Sequence, residues 1–238
     1  MMESYFNWNQ LLAHIMQLEQ EGLVTRTFRR LDPERQRAVI MAILDEAVEK
    51  GPVSINIKQV AGRANVSVGS LYQYFGSRER LLDFTVELCV RFMNDLFNLF
   101  RPYLITLPIR EGLQAYLAGG VEWMNTQAGL LRFFARAAYH SDSDLSEQVV
   151  RPIANTMREI VRDMLQAAID RGEVRPDIDL DATSRILHAL TIAVGDSQML
   201  PYLNTYFQIT GEDMSSDRVL MALIDLVLNG IVLRRESE

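Results

Sequence analysis

Residues 56–78 hold the side chains of this 238-residue chain whose types and spacing point to a definite chemistry: reading a nucleic-acid duplex. Gln73 can offer a paired donor and acceptor to adenine, and Val68 can touch a thymine methyl. Tyr72 and Tyr74 carry hydroxyls suited to phosphate oxygens. Gly69 and Ser70 are small, so a helix N-terminus beginning there can approach base edges and phosphates closely. Catalysis finds no comparable set. The sequence has no glycine-rich phosphate loop and no Ser/His/Asp group that spacing alone can join. His14, His140 and His188 lie far apart and Cys89 stands alone, which excludes zinc spacing and an internal disulfide. No enzymatic activity, metal or cofactor is expected.

Those side chains need a rigid mount, and the local signals supply one. Asn56 is a good N-cap, and Gln59 three residues on completes a capping box, which predicts a short helix to about Arg63 or Ala64. Asn65 falls where the chain must turn sharply, and Asn tolerates the left-handed conformation better than other non-glycine residues. Ser67 caps a second short helix to about Tyr74, and Ser77 caps a long one to about Phe100. Val60, Ala61, Ala64, Val66 and Leu71 form a small apolar set that would lock the short pair at a fixed angle. Two short helices joined by a tight turn make a helix-turn-helix, whose second helix fits the major groove while the first braces against the backbone.

The stretch from Asp32 to Leu82 resembles the DNA-binding domain of the TetR family of transcriptional regulators. The match is carried by Ile57-Lys58-Gln59-Val60-Ala61, by Ala64-Asn65-Val66-Ser67-Val68-Gly69-Ser70-Leu71-Tyr72-Gln73-Tyr74-Phe75, and by Ser77-Arg78-Glu79-Arg80-Leu81-Leu82. Asn65 stands where the family usually has Gly, Tyr74 where His is frequent, and Arg78 where Lys is frequent. The resemblance implies that Ser67–Tyr74 is the recognition helix, with Asn56, Lys58, Arg63 and Arg78 as further contacts. It also implies a homodimer on a pseudo-palindromic double-stranded operator, and a repressor relieved by a small effector. The competing reading is a ligand-independent architectural binder or adaptor acting through residues 1–31, which precede the match.

The rest of the chain is read as all-α, because apolar residues recur at helical spacing between turn signals and few segments alternate like a strand. Val53–Ile57 is the clearest strand-like stretch. Three segments follow: an N-terminal extension over 1–31, a helix-turn-helix domain over 32–78, and an effector-binding and dimerisation domain over 79–238. In the extension, Trp8, Leu11, Leu12, Ile15, Leu18 and Leu23 share helical spacing. Asp32-Pro33 reads as a helix start and Gly51-Pro52 as its end. Net charge is −7, yet residues 26–80 carry ten Lys+Arg against six Asp+Glu, so a mildly basic front joins an acidic back.

In the back, Phe92, Trp123, Phe133, Phe134 and Met157 are candidates to line a cavity for a partly apolar organic effector. Asp144 with Glu147 reads as another capping box, and Pro152 shortly after predicts a kink or a late start to a helix ending near Arg171. Val219–Leu233 is interrupted by polar residues only at Asp225, Asn229 and Gly230, and such a helix needs cover on most sides. Leu187, Leu190, Val194, Leu220, Leu223, Val227 and Ile231 are therefore the candidate self-association face, in the four-helix bundle the resemblance implies. No segment has the length of a membrane span or the pattern of a signal peptide, so a cytoplasmic location is expected.

Overall fold

The computed structural model describes residues 8–126, 128–139 and 143–231. Among them the chain is helical throughout, with only an isolated Gly211–Met214 bridge of β type. Val53–Ile57 forms no strand. Pro52–Ser54 is instead a single 3-10 turn, because Gly51 at φ 87° ends the preceding helix and proline starts the turn. The chain divides into two compact units, and the division differs from the three segments expected above. One unit takes residues 1–96 and 127–149, the other 97–126 and 150–238.

The first unit is built around α3 (Pro33–Lys50). Asp32 accepts from the Arg35 N–H at 2.8 Å and Pro33 opens the helix, as its sequence predicts. Val39, Ile40, Ile43, Leu44 and Ala47 are buried at the 3–4 residue spacing of one helix face. From residue 8 on, the extension is folded. In α1 (Trp8–Gln20) Ile15 and Leu18 are buried, and Thr25 caps the single-turn α2 (Arg26–Arg29), which buries Phe28. The short helices are α4 (Ile57–Arg63) and α5 (Val68–Phe75). The long α6 (Arg78–Thr106) runs past the expected end at Phe100, carrying Pro102 within it. Its first half belongs to this unit and is tied to α1 by His14 on Asp95 at 2.7 Å and by Arg91, which reaches Gln17 at 2.9 Å and Glu21 at 2.8 Å. Cys89 is buried in this stretch, which pushes its thiol up and keeps it protonated, an inert packing residue. Helix α8 (Ala128–Tyr139) packs against α3.

The second unit takes the end of α6, α7 (Ile109–Thr126), α10 (Arg151–Asp170), α11 (Leu180–Met199), α12 (Pro201–Phe207) and α13 (Ser216–Ile231). The one-turn α9 (Ser143–Leu145) holds Asp144 in its first turn. A π segment over Ser146–Val150 leads without a break into α10, so helical structure begins near Asp144 and the irregularity expected at Pro152 falls just before it, within the helix and not as a late start. The core gathers Leu113, Ile160, Val161, Leu165, Leu187, Ile224 and Leu228. The turn after α10, opened by Gly172 at φ 73°, holds the α6–α7 connection. Arg171 donates to the Ile105 and Leu107 carbonyls at 2.9 and 2.7 Å, and Glu173 accepts from the Ile109 N–H at 2.6 Å. One Arg–Glu pair thus satisfies orphan groups at the end of one helix and the start of the next.

Among the described residues no helix is long and apolar enough to cross a membrane, and no His/Cys/Asp/Glu group could hold a metal ion.

Candidate nucleic-acid interface

The mount of the reading side chains forms as its sequence predicts, except that Gln59 does not close the capping box, because the Asn56 N–H donates to Glu46 instead. Asn56 caps α4, accepting from the Lys58 and Gln59 N–H groups at 3.0 and 3.4 Å. Val66 N–H bonds the Ala61 carbonyl at 3.0 Å and Asn65 sits at φ 51°, the left-handed residue that turns the chain. Ser67 caps α5 through the Ser70 N–H at 2.9 Å, and its hydroxyl also meets that of Ser70 at 2.9 Å. Ser77 accepts from the Arg80 N–H at 3.2 Å and starts α6. Inside the corner Val60, Ala61, Ala64, Leu71 and Phe75 are buried. A capped, apolar-locked pair of this kind holds its outward face rigid.

That face carries Ser67, Gly69, Tyr72 and Gln73, all exposed, with Val68 and Ser70 half-buried beside them. Lys58 on α4 and Arg78 at the start of α6 are exposed as well. A Cβ at Gly69 would meet only the Ser67 hydroxyl, at 3.6 Å, so the helix start is open to whatever approaches it. The face offers hydroxyls, an amide, backbone N–H groups and flanking cations, the set that phosphate and base edges accept.

Three expected contacts sit differently. Tyr74 is buried, not presented. Its ring packs on Phe28 and Phe75 with centroids 5.8 and 6.5 Å apart, because position 74 falls on the same inward face as Leu71 and Phe75. Arg63 is committed within the protein. It makes two 2.9 Å bonds to Glu49, holding that carboxyl below its ordinary range, and lies 3.3 Å from Glu46. The Asn56 side-chain oxygen is spent on its cap.

Sequence reasoning missed the groups that support this corner. Glu46 is fully buried on α3, accepts from the Asn56 N–H at 3.1 Å and pairs with Lys50. Lys50 at i+4 was a visible signal for that pair, but nothing in the pattern marks a carboxylate for burial. Thr25 was missed too. Its N–H donates to the Tyr74 carbonyl at 2.8 Å and its hydroxyl to the Gln73 carbonyl at 2.9 Å, closing the C-terminal end of α5.

The expected effector set falls in different units. Phe92, Phe133 and Phe134 belong to the first and Met157 to the second. The Trp123 side chain and His140 lie outside the described residues. Within the second unit, the Tyr116 hydroxyl and His188 Nδ1 are buried without a hydrogen-bond partner.

The expected self-association face also shifts. Leu187, Val194, Leu223 and Ile231 are buried in their own unit, Leu220 and Val227 are half-buried, and only Leu190 is exposed. The large side chains turned outward are Ile186 on α11 and Met221 and Leu226 on α13. Both helices are apolar on more than one face, so periodicity finds the apolar residues without saying which side faces in.

Residues 39–83 match the family described as bacterial regulatory proteins, tetR family, and residues 106–193 match the tetracyclin repressor-like C-terminal domain. The chain is similar to the HTH-type transcriptional repressor KstR2 of Rhodococcus jostii, 22% identical over 184 residues, covering 77% of this chain and 84% of that protein. SmeT is the repressor of the Stenotrophomonas maltophilia multidrug efflux pump SmeDEF. Its triclosan complex aligns with a TM-score of 0.61 at 16% identity, over 84% of this chain and 92% of that one. FadR of Bacillus subtilis with stearoyl-CoA aligns with a TM-score of 0.55 at 15% identity, over 82% and 99%. At such identities the solved structures bear on the fold alone. The two matched domains take in the capped reading corner and most of the helices that follow it. This chain belongs to the TetR family of DNA-binding transcriptional regulators.

Proposed function

We propose that the protein is a repressor that binds a pseudo-palindromic operator as a homodimer and is released from it by a small, partly apolar organic effector. The observation that carries the reading is the outward face of α5, where Ser67, Gly69, Tyr72 and Gln73 stand exposed on a helix capped at one end by Ser67 and closed at the other by Thr25. Two such faces, related by two-fold symmetry, would enter successive major grooves about one helical turn apart. The similarity to KstR2, named a repressor, supports the direction of control.

Self-association is proposed through the outward side of α11 and α13, with Ile186, Leu190, Met221 and Leu226 at its centre. Burying a Leu or Ile side chain contributes roughly 1.5–3 kcal/mol, which makes water a poor neighbour for this surface. For the effector, the second unit supplies two buried polar atoms without a hydrogen-bond partner, the Tyr116 hydroxyl and His188 Nδ1, as groups a ligand would engage. The solved complexes of SmeT with triclosan and FadR with stearoyl-CoA support an effector with a large apolar part. The adaptor reading is not favoured, because α1 and α2 pack onto their own unit.

The test is selection of duplexes from a random-sequence pool by the full-length protein. The expected product is an inverted repeat whose half-sites lie about 10 base pairs apart, bound by two protomers. Recovery of no enriched sequence at physiological salt would overturn the reading.

A further inference from the structure

The geometry points to a DNA-contact surface that continues past the recognition helix onto the extension, where the Arg26 and Arg30 guanidiniums meet backbone phosphates at the outer edge of each half-site. The proposal rests on the reading of α5 as the DNA-facing helix and lies outside the matched DNA-binding domain, which begins at residue 39.

Placement is the first support. Thr25 donates to the Gln73 and Tyr74 carbonyls, so Arg26 follows directly on a residue bonded to the last turn of α5. Gln73 itself presents its side chain outward. The orientation of α2 is set as well. Phe28 is fully buried, with ring centroids 5.8 Å from Tyr74, 5.3 Å from Phe75 and 6.3 Å from Phe84. Gln36 then holds the end of the turn, donating to the Phe28 and Arg29 carbonyls at 3.0 and 2.8 Å. With Phe28 pinned inward, Arg26 and Arg30 are both exposed.

Charge is the second support. Arg29 is paired with Glu19, whereas Arg26 and Arg30 have no acidic partner among the described residues. Of the nearby acids, Asp32 is engaged by the Arg35 N–H at 2.8 Å. At the same helix end, the Arg80 guanidinium lies against Gly76, 3.4 Å from where a Cβ would stand. The C-terminal end of α5 is therefore bordered by cations from two segments far apart in sequence. A helix C-terminus favours cations, but that effect is satisfied by one of them and fades within a turn. Unpaired guanidiniums beside a DNA-reading face suit phosphate oxygens, which they can grip in bidentate fashion.

The experiment measures affinity of the full-length protein for a duplex recovered by the selection above, across a series of NaCl concentrations. Each lost phosphate contact flattens the slope of log K against log[salt] by about 0.9. The Arg26→Ala/Arg30→Ala variant is expected to bind at least ~10-fold more weakly at 0.15 M salt with a flatter slope. Its hydroxyl-radical footprint should lose protection at the outer edge of each half-site while the centre stays protected. Arg26→Lys/Arg30→Lys should keep the wild-type slope, and Arg185→Ala, an exposed arginine of the other unit, should change nothing. If the alanine variant melts at lower temperature, Arg26→Gln/Arg30→Gln gives the same comparison with longer side chains. A wild-type slope and footprint in the neutral variants overturns this proposal and leaves the α5 reading standing. If the wild-type protein enriches no duplex at all, the underlying reading fails and takes the proposal with it.

Discussion

Helices α5 and α13 are both amphipathic, and their outward faces are opposites. The inner side of α5 is Leu71, Tyr74 and Phe75, and its outer side is small or polar, with Gly69, Tyr72 and Gln73. The inner side of α13 is Leu223, Ile224, Leu228 and Ile231, and its outer side still carries Met221 and Leu226, the latter 70% exposed. A polar outer face is content in water and exchanges it readily for phosphates and base edges. An aliphatic outer face gains only by finding another apolar surface. The contrast fits the proposed roles, a hydrated, charged partner for the first surface and a second copy of the protein for the second.

The largest effect should separate the two sides of α11. Leu187→Ala removes a side chain that is 2% exposed in the core of its unit and should cost about 2–5 kcal/mol in urea unfolding. That cost should persist at every protein concentration. Ile186→Ala, one position away and 63% exposed, should lower stability only where the protein self-associates, and its cost should vanish on dilution. Equal, concentration-independent losses in both would erase the distinction between the faces.

Next is the apolar surface itself. Leu226→Arg should weaken self-association by roughly 100-fold, or about 2.8 kcal/mol, in sedimentation velocity, and leave the helical content intact. A dimer of unchanged strength would move the interface elsewhere. On the polar surface, Tyr72→Ala should cost at least ~1 kcal/mol of duplex binding, the scale of one good polar contact, with no loss of fold. Undiminished affinity at physiological salt removes Tyr72 from the reading face.

The smallest effect is one of pH. Burial first, and the positive Arg158 second, hold His188 below the ordinary imidazole value of 6.5. Protonation therefore favours the unfolded chain. The stability that comes from a neutral His188 is fully present above pH 6.5 and is lost as pH falls below that and through the lower folded-state value. Wild-type protein should lose more stability between pH 7 and pH 5 than His188→Gln, and parallel curves would contradict this.

The two regions also differ in how far the sequence discloses them. The reading corner is written in local rules. Asn56, Asn65, Ser67 and Ser77 each act on a backbone group within a few residues, and all four appear where the spacing puts them. Three features of the same corner depend on distant partners and are not legible. Arg63 is drawn to Glu49, Tyr74 is covered by Phe28, and Thr25 closes α5 from a position 48 residues upstream of Gln73. In the second unit the rule itself is degenerate. When Leu187 and Ile186, or Leu223 and Leu226, lie on different faces of one apolar helix, periodicity marks both and only packing tells them apart. The division of α6 between two units is likewise a matter of what each half touches, not of any break in its sequence.

The central claim is that the outer face of α5 reads bases. Repeating the duplex selection with Gln73→Ala and, separately, with Lys58→Ala tests it most directly. The expected result is that Gln73→Ala relaxes the preference at one base pair in each half-site, while Lys58→Ala lowers affinity without altering the preferred sequence. An unchanged sequence preference in the Gln73 variant, or the same uniform loss in both, would contradict it.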